Sequence, residues 1–298
     1  MPSPAPPTRL ATAVTFAILA TMAGTLAAAA AKYLSNYVST GLIVFVQYAV
    51  CLLTLAPWMR KAGLSGMKTQ HLWPHLIRGL SGWLCFYTYF VAVKHIPLVE
   101  AALLRNTAPL CVPFIVYFLH RSGFTLAKTI GALTGFVGVI LILHPEGTVV
   151  SLWHGVGFLS GVTLALSMVY TRELSTDEPA NRILFYYFAI STVLSAPLAL
   201  VDLKPFPLHI VPLLGFVGIS IFITMKLYTI AYSAAPTNTL APFSYFGVIF
   251  AGLLGWLFWD QMPDSRSLIG MGIVVAGGVI TLLARDRTAP DKAATTPG

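Results

Sequence analysis

Residues 89–102 read YFVAVKHIPLVEAA and residues 228–241 read YTIAYSAAPTNTLA, and a shift of 139 positions lays one on the other. Tyr89 then meets Tyr228, Ala92 meets Ala231, Pro97 meets Pro236 and Ala102 meets Ala241. The register runs on in both directions without a gap. Gly79 falls on Gly218 and Ser81 on Ser220 upstream, while Gly131 falls on Gly270, Gly138 on Gly277 and Leu143 on Leu282 downstream. A shift of 140 aligns the earlier segments, pairing Leu34 with Leu174, Ser35 with Ser175, Ile43 with Ile183, Phe45 with Phe185, and Ala56-Pro57 with Ala196-Pro197. Apolar helices share Leu and Ala readily, but matched Pro, Gly and Tyr at a constant offset mark an internal repeat.

The medium in which the repeat folds follows from composition. Of 298 residues 57% are hydrophobic and only 9% charged, against roughly 25% charged in an average soluble domain, which excludes a water-soluble globule. Apolar segments lie near 10–31, 38–58, 73–94, 98–119, 127–143, 152–173, 181–201, 209–233, 237–259 and 267–284. Ten spans of about 20 residues use roughly 200 positions, and no soluble catalytic domain fits in the remainder. Hydrocarbon leaves backbone groups unpaired unless they bond within a segment, so each span is predicted to be an α-helix. Arg9 followed by an apolar run ending in Ala27–Ala31 resembles a secretory signal, yet this segment has a counterpart later in the chain and is read as a retained span.

Five spans per repeat is an odd number, so the second half enters the membrane from the opposite side. The predicted fold is an all-α membrane protein whose ten transmembrane helices form two inverted five-helix repeats. These occupy residues 1–147 and 148–285, with 286–298 a disordered cytoplasmic tail rich in charge, Pro, Thr and Ala. With residue 1 inside, 12 Lys and Arg fall on the cytoplasmic side and 4 on the other, which sets both termini in the cytoplasm. The net charge of +8 thus reflects membrane orientation. Basic residues scattered between apolar segments make no groove for nucleic acid. Cys51, Cys85 and Cys111 sit inside spans without metal or redox spacing and are read as small apolar fillers.

The quoted stretches, with Gly131–Leu143 and Gly270–Leu282 that follow them, resemble the EamA-like, ten-helix branch of the drug/metabolite transporter superfamily, and the likeness covers both halves. The resemblance implies export of amino acids or related metabolites from the bacterial inner membrane, with aromatic amino-acid exporters the nearest group. Small multidrug antiporters of the superfamily carry a proton-exchanging carboxylate in their first helix, whereas Leu10–Ala31 holds no acid here. Facilitated flux or exchange is therefore expected over proton antiport. No cofactor or metal is required, and one chain already holds both halves of a pathway for a small solute.

Lining residues are sought among polar side chains that must turn from lipid. Lys226, about two-thirds through its span, is expected to face a wet interior, and the repeat maps it onto Tyr87, with Trp83 one turn earlier. Arg105 and Asn106 map onto Ser244 and Tyr245, and Gln47 maps onto Tyr187. Ser167 and Tyr170 add polar atoms in the sixth span. Aromatic faces suit a ring-bearing side chain and the polar groups a zwitterion, with Arg105 or Lys226 drawing the carboxylate. Arg78 is read as a cytoplasmic anchor and Glu100, in the first turn of the fourth span, as a helix cap. Pro97, Pro109, Pro236 and Pro242 are the predicted gates or hinges, each removing a backbone donor. The Gly131, Gly135, Gly138, Gly270 and Gly277 stripes are scaffold for close helix contact.

Alternatives of other classes are a proton-coupled or nucleotide-sugar-type exchanger, a membrane receptor and an intramembrane enzyme. The last lacks any H-E-x-x-H, G-x-S-x-G or P-loop pattern. His71 and His75, four apart, are interrupted by Pro74 and read as interfacial. The inverted arrangement predicts that single cysteines placed beside Pro97 and Pro236 react with impermeant reagent from opposite faces of the membrane. Labelling of both from the same face refutes it.

Overall fold

A computed structural model describes residues 7–121, 126–143, 151–201, 205–234, 241–263 and 265–283. Every secondary-structure element among these residues is helical. The first half contains α1 (Pro7–Leu34), α2 (Thr40–Thr54), α3 (Ala56–Met67), α4 (Leu72–His95), α5 (Leu98–Arg105), α6 (Ala108–His120) and α7 (Leu126–Leu143). The second contains α8 (Leu152–Leu174), α9 (Ala180–Val201), α10 (Val211–Ala234), α11 (Phe246–Trp259) and α12 (Ser265–Leu283), with 3-10 turns at Leu208–Ile210 and Ala241–Tyr245. Six helical segments are long and apolar enough to cross a membrane, and α2 with α3, bent by 47°, makes a seventh.

Local chemistry explains where the helices start and stop. Ser39 caps α2 by accepting from the Leu42 amide at 3.3 Å, and Ser151 caps α8 by accepting from Trp153 at 3.3 Å. Segments expected to be continuous are broken where proline removes a donor. Pro57 follows the bend after Leu55, and Pro109 follows the break at Asn106 and Thr107 that divides α5 from α6. The ninth expected segment begins as the 3-10 turn Ala241–Tyr245, which contains Pro242, and becomes α-helical only at Phe246. Under the 139 shift Asn106 falls on Tyr245, so both segments change geometry at matching positions.

The outer surface is apolar, with Leu53, Phe118, Val193 and Leu257 more than two-thirds exposed, the reverse of a soluble protein and appropriate to lipid contact. Inside, α1 packs on α10, α4 on α8, α7 on α12 and α2 on α9, with α2 also on α10 and α4 on α9. Exchanging each helix for its counterpart in the other half turns this set of pairs into itself. Cys51, Cys85 and Cys111 are buried free thiols.

The α7–α12 contact depends on glycine. A Cβ on Gly138 would lie 2.6 Å from the Gly270 carbonyl oxygen and 2.7 Å from the Val274 nitrogen, backbone atoms that cannot move aside. Gly138→Leu is expected to destabilise the detergent-solubilised protein by about 1–3 kcal/mol in a thermal melt. Gly272→Leu, at a position with nothing within 4 Å, leaves the midpoint within a degree or two.

Candidate functional site

Helix α4 supplies the interior. Residues 78, 82, 86 and 89 share one face at helical spacing, and on that face stand Arg78, Gly82, Phe86 and Tyr89. Arg78 is 7% exposed. Its Nη1 donates to Ser167 Oγ of α8 at 2.7 Å, and its guanidinium lies 4.0 Å from the centre of the Tyr187 ring on α9. Gly82 makes this possible, because a Cβ there would meet Arg78 Nη1 at 2.5 Å and Tyr187 Cε2 at 2.6 Å. The Tyr187 and Tyr48 hydroxyls share a hydrogen bond of 2.7 Å, and whichever accepts it can donate to the Gly82 carbonyl, 3.4 Å from Tyr187 and 3.2 Å from Tyr48. The Tyr48 ring meets Phe86 edge-on at 6.2 Å, and beyond Phe86 the Arg105 guanidinium sits 4.8 Å from that ring and 5.0 Å from Tyr89. Arg78 and Arg105 thus end a continuous run of aromatic rings.

The charge of this run is not balanced. Among the described residues neither guanidinium has a carboxylate within 4.0 Å. An arginine at mid-membrane costs about 2.5–3.5 kcal/mol on insertion scales, and a desolvated ring contact returns about 2. Arg78 Nε and Arg105 Nε make no hydrogen bond within the protein, nor do both amide atoms of Gln47, Ser191 Oγ and Tyr245 Oη. Gln47 is wholly buried. Such groups at the centre of a helical bundle are equipped to meet a polar solute.

The remaining predicted residues divide between this run and other seams. Ser167 is the Arg78 partner, and Arg105 closes the far end. Trp83 donates through Nε1 to Ser195 Oγ at 2.9 Å and stacks on Tyr87 at 5.6 Å. Tyr87 borders a cavity between α2, α4 and α9 that also touches Ser39 and Lys94. Asn106 turns its Nδ2 back to Ala102 O at 2.8 Å, Tyr170 and Ser244 are half-buried, and Tyr245 is buried. Pro97 caps α5, Pro109 lies in the first turn of α6, Pro242 in the 3-10 turn, and Pro236 lies outside the described residues.

Lys226 and Arg78 lie on the opposite sides from those expected. Lys226 is exposed, on the same face of α10 as Phe216, Ile219, Ile223 and Ile230, which are exposed apolar residues. It points away from the bundle. It lies eight residues, about 12 Å along the axis, before the end of α10 at Ala234. Arg78, by contrast, is no surface anchor but part of the interior.

Both ends of the bundle are tied by polar side chains. At one end Glu178, in the turn between α8 and α9 with its side chain 2% exposed, accepts from Thr69 Oγ1 and from Arg182 Nη1 at 2.6 Å and lies 3.8 Å from His75 Nε2. His75 is fully buried, against its interfacial expectation, and stacks on Tyr186 at 4.4 Å. Arg182 Nε donates to Gly66 O and Tyr186 to Met67 O. At the other end Lys32 donates to the Val93 and Ile96 carbonyls at 2.6 and 2.8 Å, the last orphan acceptors of α4. Glu100 is more than a cap, because its Oε2 lies 3.1 Å from His154 Nε2 of α8.

A family model described as the EamA-like transporter family matches residues 11–144 and again residues 151–283. The chain belongs to this family. Among EamA-like relatives, the pseudopaline exporter of Pseudomonas aeruginosa (strain UCBPP-PA14) is 30% identical over 283 residues, 92% of this chain and 95% of that protein. An S-adenosylmethionine uptake transporter of Rickettsia bellii is 20% identical over 88% of this chain and 90% of its own. A riboflavin transporter of Vibrio cholerae is 24% identical over 78% of this chain and 79% of its own. One crystal structure matches with a TM-score of 0.61 at 21% identity, covering 91% of this chain and 96% of that one, which shows a shared fold.

This EamA-like protein is a multi-pass membrane transporter of small-molecule solutes, not an enzyme. Sequence reasoning passed over Arg78, Tyr48 and Glu178 as functional groups, although a glycine four residues after an arginine in an apolar helix marks space for a folded-back guanidinium. Burial would raise the Glu178 carboxyl, but the bonds from Thr69 and Arg182, with the charges of Arg182 and His75, hold it below its ordinary value. A depressed carboxyl stabilises fully above its ordinary value and ceases to as pH falls through the depressed one. The wild type should therefore lose thermal stability as pH falls below about 5 and on through the depressed value more steeply than Glu178→Gln, which starts several degrees lower at neutral pH. Parallel pH profiles would leave this cluster without a titrating role.

Proposed function

We propose that this EamA-like transporter exports an amino-acid-like metabolite bearing a carboxylate and an apolar or aromatic portion. It works by alternating access between inverted repeats at residues 1–147 and 148–285. The observation that carries the substrate class is the pair of interior arginines held against aromatic rings with no carboxylate within 4.0 Å among the described residues. An anion completes that charge, and the rings suit its apolar part. A helix pairing that is unchanged when the halves are exchanged, and a family model that matches each half once, support the inverted repeat. The 30% identity to an exporter supports outward transport of a small metabolite. The bacterial inner membrane with both termini cytoplasmic is favoured by the distribution of Lys and Arg.

Coupling is by facilitated flux or exchange. Glu100, in the first turn of a predicted span, is held by His154 at one end of the bundle and does not pair with either arginine. Proteoliposomes preloaded with unlabelled amino acid should show saturable counterflow of labelled phenylalanine or tryptophan, and Arg105→Gln should lower it at least tenfold. Exchange of a nucleotide sugar with no amino acid exchanged would overturn the substrate class. Binding without flux would mean a receptor, and accumulation driven by a pH gradient alone would make Glu100 and His154 a proton site.

A further inference from the structure

Arg78, expected at the cytoplasmic surface, is buried, and its surroundings are built around it. Ser167 and Tyr187 hold the guanidinium from two other helices, and Gly82 supplies the space it fills. Each of these partners is neutral, so none balances the charge. Nε makes no hydrogen bond within the protein although the side chain is 7% exposed. Ser167 Oγ accepts from Nη1, which leaves its own proton available to an acceptor. The Tyr187 and Tyr48 hydroxyls stand at the far edge of the same ring.

We infer that Arg78 and Ser167, backed by Tyr187, form a carboxylate-binding site on the transport pathway, distinct from Arg105. The inference rests on the transport reading above and names a site within it. A guanidinium edge with one adjacent hydroxyl matches a planar, singly charged carboxylate; a phosphate dianion calls for more positive charge than one arginine carries. Position along α4 gives the site its place in the cycle. His75, three residues before Arg78, belongs to the cluster around Glu178, so Arg78 lies one turn inside that end of the bundle. When the Glu178 contacts open, Arg78 is the first interior cation a solute meets, and Arg105 lies beyond the rings of Tyr187, Tyr48 and Phe86. The two arginines are then successive stations of one route.

The test uses the purified full-length protein and an isosteric pair of probes, 3-phenylpropionate and 3-phenylpropanamide, with inorganic phosphate as a third, read by ligand-induced thermal shift. Wild type should prefer the acid to the amide by roughly tenfold or more. Arg78→Gln should lower that preference several-fold, leaving the share that Arg105 supplies, Arg78→Lys should lower it less, and Ser167→Ala should also reduce it. If Arg78→Gln does not fold, Ser167→Ala decides. A wild-type preference in Ser167→Ala together with either Arg78 variant overturns the site, and stronger stabilisation by phosphate than by 3-phenylpropionate overturns the ligand class. Counterflow run in parallel separates this inference from the transport reading. Acid preference that depends on Arg78 without flux keeps the site and removes the carrier, whereas carboxylate flux that is indifferent to Arg78 keeps the carrier and removes the site.

Discussion

An arginine inside a membrane bundle must be paid for by its neighbours, and among the described residues these are rings and hydroxyls, not acids. Tyr187 lies under Arg78, and Phe86 and Tyr89 under Arg105. The quadrupole of a ring attracts a cation without cancelling its charge. A carboxylate in the same place would make a buried ion pair, stable in geometry and closed to any third party. Aromatic faces instead hold the guanidinium in position and leave its field directed at whatever enters. The helix arrangement follows from this requirement. α4 must approach α8 and α9 closely enough for Arg78 to span both, and Gly82 and Gly79 allow it, the latter packed so tightly that a Cβ would lie 2.8 Å from Ile190.

The ends of the bundle obey a different rule. There the polar groups are paired: Glu178 with Thr69 and Arg182, Glu100 with His154, and Lys32 with two orphan carbonyls at the end of α4. Two of these contacts, Glu178 with Thr69 and Glu100 with His154, join a residue before 147 to one after it. The carboxylates and Lys32 are bonded at the ends, although both His75 nitrogens and His154 Nδ1 make no hydrogen bond within the protein, while the interior arginines face no carboxylate within 4.0 Å among the described residues. That division is what a carrier needs, because the contacts at an end must be exchangeable for water while those at the centre must be exchangeable for solute.

The fold was more legible than the site because hydropathy and the repeat both report on helices, whereas side-chain direction depends on angles that accumulate at 100° per residue. The described residues of the predicted segments are helical apart from short breaks, and six or seven of the helical segments are long and apolar enough to cross a membrane. The breaks at Leu55 and at Asn106 and Thr107 were not foreseen, although Pro57 and Pro109 stand beside them. Arg105 and Ser167 were found because a polar residue deep in an apolar run is conspicuous. Lys226 satisfied the same criterion and misled, since depth along a helix says nothing about its face. Its own stripe, Phe216, Ile219, Ile223 and Ile230, was available in the sequence. Arg78 sat too near a predicted span end to be suspected, and only contacts from α8 and α9 reveal that the chain folds inward over it.

The changes of helical geometry on the two sides of the bundle bear on how such a carrier moves. α5 ends at Arg105, and the chain passes through Asn106 and Thr107 before α6 begins. In the proposed repeat the matching passage is from the 3-10 turn ending at Tyr245 into α11. At both places the regular i to i−4 ladder is interrupted, so one part of a segment can turn relative to the other without breaking a complete helix. The interruption adjoins Arg105 in the first half and Tyr245, whose hydroxyl makes no bond within the protein, in the second. A solute drawing on either residue acts at the point of least resistance in its segment, so that occupancy of the centre can bias the packing of α5 on α8 at one side and of α11 on α1 at the other. Coupling between binding and gate position then requires no long-range path, only that the residues meeting the solute sit where the helices already change direction.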